Sequence, residues 1–175
     1  MKILLSIAAV LVLFLGYVST RNGEFHYEHS GVINAPADKI YPYLSNFKLG
    51  SQWNPFARKD PNMKSVFKGE DGKVGSVMEF EGNSEAGAGS LEMLKMVPNE
   101  LVEIKLLMLK PFKAENLIRY RLAPEGTGTK FTWEMSGNGG FMGKLIGVFI
   151  NCEKMLEPDF TKGIADLKTT VESQK

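Results

Sequence analysis

Residues 128–150, GTKFTWEMSGNGGFMGKLIGVFI, begin as one kind of element and end as another. Phe131, Trp133 and Met135 alternate with Lys130, Thr132 and Glu134, the period-two pattern of a strand with one apolar face. Glycines at 137, 139 and 140 break that pattern, and Phe141 to Ile150 then carries a single charge, Lys144. A helix apolar on most sides must be buried or touch lipid. The stretch therefore asks what a broad apolar strand face and an apolar helix cover in a chain of 175 residues.

Toward the carboxy terminus, Phe141, Leu145, Val148, Cys152 and Met155 recur at helical spacing, and Met142, Ile146 and Phe149 form a second stripe. Pro158 interrupts and is expected in the first turn of a new helix. Phe160, Ile164, Leu167 and Val171 then repeat at 4-3-4, with Lys162, Asp166, Lys168 and Glu172 on the solvent side.

Toward the amino terminus the chain reads as strands and turns. Thr129 to Ser136 is the last strand, Pro124 to Gly128 the turn before it, and Lys113 to Leu122 the strand before that. Leu101 to Leu109 keeps Val102, Ile104, Leu106 and Met108 in phase. In Ala86 to Val97 the apolar phase slips between Met93 and Leu94, which predicts a bulge. Gly75 to Glu81 sets Ser76, Met78 and Phe80 against Val77, Glu79 and Glu81, and a Gly-Glu-Asp-Gly turn separates it from Val66-Phe67. Phe25 to Asn34 reads as a first strand. Ile40, Tyr43, Leu44 and Phe47 then fall at helical spacing, with Pro42 in the early turns where it does least harm. SQWNPFARKDPNM, 51–63, reads as a loop after a second short helix. Antiparallel strands followed by one long helix argue an α+β domain with the helix on one sheet face.

Composition narrows the function classes. Net charge is +1, from 21 basic and 20 acidic residues spread without blocks, so the basic stripe that nucleic-acid binding needs is missing. A single cysteine, Cys152, excludes an internal disulfide. Residues 21–175 suffice for one domain. Residues 1–20 differ from the rest: Ile3 to Val18 has no charge, and with Ser19 and Thr20 it makes a helix of roughly 27 Å at 1.5 Å per residue, close to a bilayer core. The favoured reading is an uncleaved single-pass anchor. Its rivals are a cleaved signal, for which Val18-Ser19-Thr20 is a poor A-x-A site, and a buried helix. Lys2 and the amino terminus against Arg21 favour a cytoplasmic amino terminus and an extracytoplasmic domain.

The order of elements and several segments resemble the SRPBCC, or START-like, superfamily, in its polyketide cyclase/dehydrase-like branch. VINAPADKIYPYLSNF is similar to its first strand and helix. QWNPFARKDPNM is similar to its W-x-P-W…D-P segment, with Phe56 where a second Trp is common. GKVGSVMEFEGN and GAGSLEMLKMVPNE resemble the central strands, and PFKAENLIRYRLAPEGTGTKFTWEMSG with FMGKLIG and DFTKGIADLK resembles the ending of that branch. The resemblance implies a helix-grip fold: a curved antiparallel sheet of about seven strands around a long carboxy-terminal helix, with two short helices after the first strand. It also implies a cavity between sheet and helix that holds an apolar ligand in many members, with residues 141–156 at or near its mouth. Such folds host binding proteins and enzymes alike.

Catalytic and metal chemistry have little to stand on. His26 and His29 are three apart on a strand and so face opposite ways, and zinc needs three or four ligands. Cys152 reads as a small packing residue on a helix stripe. No G-x-S-x-G elbow occurs, and Gly143-Lys144 fails as a P-loop because Asn138 and Leu145 stand where Gly and Ser/Thr are required. Glu79 and Glu81 read as two solvated acids. No metal or cofactor is expected. Ligand pockets are mostly apolar, and the candidate lining is Trp53, Phe56, Met78, Phe80, Met93, Leu106, Met108, Trp133, Met135, Phe141 and Phe149, with Trp53 and Phe56 at the rim. Three functions follow. The leading one is a membrane-anchored or exported domain that binds a hydrophobic small molecule or lipid without catalysis. The second is a cyclase-like enzyme using Tyr43, Glu92, Asn116 or Tyr120. The third is a filled interaction module whose 141–150 segment docks on a partner or membrane.

Overall fold

Alternation and helical spacing translate into one sheet and five helices in a computed structural model that describes residues 2–149 and 152–174. The apolar helix α1 (Lys2–Thr20) leads into β1 (Glu24–Ile33), then α2 (Ala37–Ser45) and α3 (Phe47–Gly50). A 3-10 turn, Pro55–Arg58, precedes the strands β2 (Lys64–Lys68), β3 (Val77–Glu81), β4 (Ala88–Val97), β5 (Leu101–Lys110), β6 (Ala114–Glu125) and β7 (Gly128–Asn138). The helices α4 (Gly140–Phe149) and α5 (Cys152–Glu172) end the chain. All seven strands pair antiparallel in the order β1-β7-β6-β5-β4-β3-β2. The architecture is α+β, as the sequence pattern predicts.

Register sorts the side chains into two faces. On the inner face His29 lies opposite Trp133, Trp133 opposite Tyr120, and Tyr120 opposite Val102. The outer face carries Glu28, Glu134, Arg119 and Glu103 in the same way, and Arg119 and Arg121 pair with Glu134. His26 and His29 do fall on opposite faces. The β4–β5 register shifts between Met93 and Lys95, the bulge expected from the slipped phase. Glu79 and Glu81 are half-exposed partners of Lys68 and Lys110, as expected of solvated acids.

The α5 helix lies on the inner face along β1. Phe160 meets the Tyr27 ring edge-on at 4.9 Å, and Lys168 Nζ donates to the Val32 carbonyl. Near the other end the Asn34 amide donates to the Glu172 carboxylate. The helix therefore runs in the same direction as β1. Pro158 is not in the first turn of a new helix: α5 starts at Cys152 and Pro158 lies in its second turn. The β6–β7 turn is also tighter than 124–128, because β6 continues to Glu125 and Gly126, at φ 60°, makes the reversal.

The two ends of the sheet differ. The near end, where the chain leaves α1, gathers Glu24, Asn138, Lys110, Ala88, Glu81 and Lys64. The far end gathers Ile33, the Gly126 turn and Val77, and is covered by α2, which packs against β6. Ile33, Ile40, Phe131, Val102, Trp53, Met93, Phe160 and Leu167 are all fully buried there or at mid-sheet.

Candidate ligand cavity

The near half of the inner face is hollow. A cavity of about 490 Å³ lies between the sheet, the 3-10 turn and the first turns of α5. Its sheet wall is Met78 and Phe80 from β3, Leu91 from β4, Leu106 and Met108 from β5, Ile118 and Tyr120 from β6, and Trp133 and Met135 from β7. Phe56, Ala57 and Met63 close one side, and Met155 and Leu156 of α5 another. Polar groups sit at the fringe: Asn54, Lys59, Glu85 and Asp159. The volume is within the range of small-molecule sites, and the lining has their usual apolar character.

Local sequence explains the side nearest the 3-10 turn. Asn46 and Asn54 cap the short helices that follow them, their Oδ1 atoms accepting from the Leu49 and Phe56 amides. Asp60 Oδ2 accepts from the Asn83 amide and ties this segment to the β3–β4 loop. Lys59 is thereby held over the Phe56 ring at 4.7 Å and pairs with Asp159 Oδ2 at 2.6 Å, bridging from the turn to α5.

An aromatic cluster forms the back wall. Trp133 stacks on Phe160 at 4.1 Å and meets Trp53, Tyr120 and Phe56 edge-on at 5.3, 5.7 and 6.1 Å. The buried Trp133 Nε1 has no hydrogen-bond partner among the described residues. Burial alone pushes the Tyr120 phenol pKa well above its ordinary value, so its hydroxyl keeps the proton. Among the described residues no three His, Cys, Asp or Glu side chains gather as a metal site.

Of the eleven side chains singled out in the sequence, seven lie on this wall: Phe56, Met78, Phe80, Leu106, Met108, Trp133 and Met135. Trp53 does not form the rim. Residues 51–63 are ordered by the asparagine caps, and the indole turns inward, fully buried, with Nε1 donating to the Tyr43 carbonyl at 2.9 Å. Met93 lies one row behind Leu91 toward the far end, buried in the filled core. Phe141 is on α4, half-exposed and off the wall, because α4 packs beside α1 rather than over the sheet. The Phe149 side chain lies outside the described residues. Among the enzyme candidates, Tyr120 reaches the cavity. Glu92 pairs with Lys105 on the outer face, the Tyr43 hydroxyl accepts from Gln174, and Asn116 is buried against Gly137.

The sequence reading missed Ala57, Met63, Ala86, Leu91, Ile118, Met155, Leu156 and the polar fringe. Ile118 was legible, being in phase with Tyr120 and Leu122 along β6. The Lys59–Asp159 bridge joins residues 100 apart, and no local pattern announces it.

Residues 24–172 match the family model described as "Polyketide cyclase / dehydrase and lipid transport". No curated protein matches the chain. Solved structures share its fold. A Mesorhizobium loti protein is 18% identical, with 86% of this chain and 99% of that one covered at a TM-score of 0.63. Norcoclaurine synthase from Thalictrum flavum, in complex with dopamine and hydroxybenzaldehyde, is 15% identical over 88% and 90% at 0.62. The major latex-like protein 151 of Panax ginseng is 13% identical over 85% and 97% at 0.62. At such identities the likeness speaks for the fold, not the chemistry.

Proposed function

Because the chain belongs to the polyketide cyclase/dehydrase and lipid transport family, and its sheet and helix enclose a hollow, we propose that it binds a hydrophobic small molecule or lipid in that hollow. The observation that carries the reading is the cavity of about 490 Å³ walled by Met78, Phe80, Leu91, Leu106, Met108, Ile118 and Met135. Apolar area removed from water there is worth roughly 2.5 kcal/mol per 100 Å² before association costs. Methionines let such a wall adapt to more than one shape. The Tyr120 hydroxyl adds one donor for an oxygen on the ligand. Residues 1–20 act as an uncleaved anchor and 21–175 as the binding domain, which the exposure of α1 supports: Ile3–Thr20 is long and apolar enough to cross a membrane and is almost entirely uncovered by the rest of the protein.

The test is organic extraction and native mass spectrometry of residues 21–175, purified without detergent and checked for folding by circular dichroism. A co-purifying apolar molecule is expected, and Ala86→Phe, which adds a ring at a residue on the cavity wall beside Glu85, should lose it. If fatty acids, sterols and polycyclic aromatics all fail to bind at roughly 100 μM, the reading is wrong.

A second reading, a cyclase-like enzyme, is favoured by one observation, the protonated Tyr120 on the wall. Norcoclaurine synthase shows that this fold hosts catalysis. In that case Tyr120→Phe abolishes turnover while the substrate still binds.

A further inference from the structure

We infer that α4 lies in the surface layer of the membrane beside α1, so that the near end of the domain, with the cavity, faces the bilayer and draws its ligand from it. This rests on the anchor reading of α1. The first support is attachment. The α4 helix packs on α1, and Val18 in the last turn of α1 is fully buried. Lys144 Nζ donates to the Ser19 carbonyl at 3.0 Å, and the Gly139 amide donates to the Gly23 carbonyl at 3.0 Å. A Cβ at Gly23 would meet the Gly140 carbonyl oxygen and Lys144 Cγ at 3.2 Å, so the approach is close. Wherever α1 leaves the hydrocarbon, α4 starts beside that point.

The second support is chemistry. The single charge of α4, Lys144, is used on the carbonyl end of α1, where a helix favours a cation. Phe141 and Met142 are left exposed at 46% and 40%. An apolar helix with an uncovered face needs a cover, and α1, apolar and uncovered except near its last turn, already needs lipid. At its exit the Arg21 guanidinium sits 5.6 Å from the Tyr17 ring, the pairing of aromatic and basic residues found at headgroup level. The third support is continuity. From α4 the chain passes to Met155, 57% exposed and on the cavity wall. Cavity, uncovered helix and membrane exit share one end of the sheet.

The experiment uses the full chain with Cys152→Ser and a single cysteine, Met142→Cys or Thr127→Cys, labelled with an environment-sensitive fluorophore in phosphatidylcholine/phosphatidylglycerol vesicles. Thr127 is the control, because the eleven residues of β7 put it roughly 35 Å from the near end. The expected result is a blue-shifted label at 142 that spin-labelled lipids quench, and a water-like label at 127 that they do not. Phe141→Cys serves as a second position if the first disturbs folding. If the protein floats with the vesicles but the label at 142 is water-like, the inference is overturned. A blue-shifted label that lipid quenchers do not reach would mean a protein cover, a second copy included, and overturns it too. Failure to float removes the anchor reading and this inference together, while ligand binding by residues 21–175 stands or falls on its own assay.

Discussion

At the far end of the inner sheet face, Ile33, Phe131, Leu122 and Val102 lie under α2 and the second half of α5; at the near end, Met135, Ile118, Met108 and Phe80 lie under only the 3-10 turn and the first turns of α5. The strands are the same and so is the alternation, yet the first half is solid and the second hollow. The difference comes from the cover and from residue shape. Rigid rings and β-branched chains fill the far half, where two helices press on them. Methionine and leucine dominate the near half, which only the first turns of one helix reach. Trp53, Tyr120 and Trp133 stand between, in mutual edge-on contact. A sheet pattern therefore specifies which face is covered, and the elements laid on it decide whether that cover is core or cavity.

The strongest way to break this division is to remove the partition. Trp53 is fully buried, touches Tyr120, Phe131 and Trp133, and its Nε1 satisfies the Tyr43 carbonyl. Trp53→Ala should cost about 3–5 kcal/mol from the void, with more for the orphaned carbonyl. Urea unfolding of the domain measures it. A loss below about 1 kcal/mol would mean the indole is a loose rim residue after all.

A sharper comparison uses one residue type in both halves. Met93 is fully buried in the solid half, while Met108 is a half-buried wall of the hollow one. Met93→Ala should cost about 2–5 kcal/mol, since it makes a void where none existed. Met108→Ala enlarges a space already there and should cost about 1 kcal/mol or less. Equal losses would show that the near half is as tightly packed as the far half.

How far the sequence carried these distinctions follows from the range of the forces involved. Most strands, the Met93 bulge and the inner-face residues Met78, Phe80, Leu106, Met108, Trp133 and Met135 were legible because period-two alternation is local. Trp53 was misplaced because prolines 55 and 61 suggested an exposed loop, while the signal that mattered was Asn46 and Asn54 at cap positions. Phe141 was misplaced because an apolar stripe tells that a helix face is covered, and not by what. The Lys59–Asp159 bridge and the contribution of Met155 arise only when the 3-10 turn and α5 come together, and nothing along the chain encodes that meeting.

The smallest effect tests whether the hollow is dry. Burial raises the Tyr120 pKa above 10, the value of a solvated phenol. The unfolded chain then releases this proton first as pH rises, so the contribution of Tyr120 to stability is intact below pH 10 and declines above it, through the interval up to the folded-state value. At one unit above 10 the decline is on the order of 1 kcal/mol. The comparison is with Tyr120→Phe, in which every other ionisable group is unchanged. Urea unfolding at pH 9 and pH 11 should show the wild type losing about that much relative to the variant. An unchanged gap would mean that the phenol ionises as readily in the fold as outside it. Water would then fill the near half, and the apolar wall behind Tyr120 would have little left to offer a hydrophobic ligand.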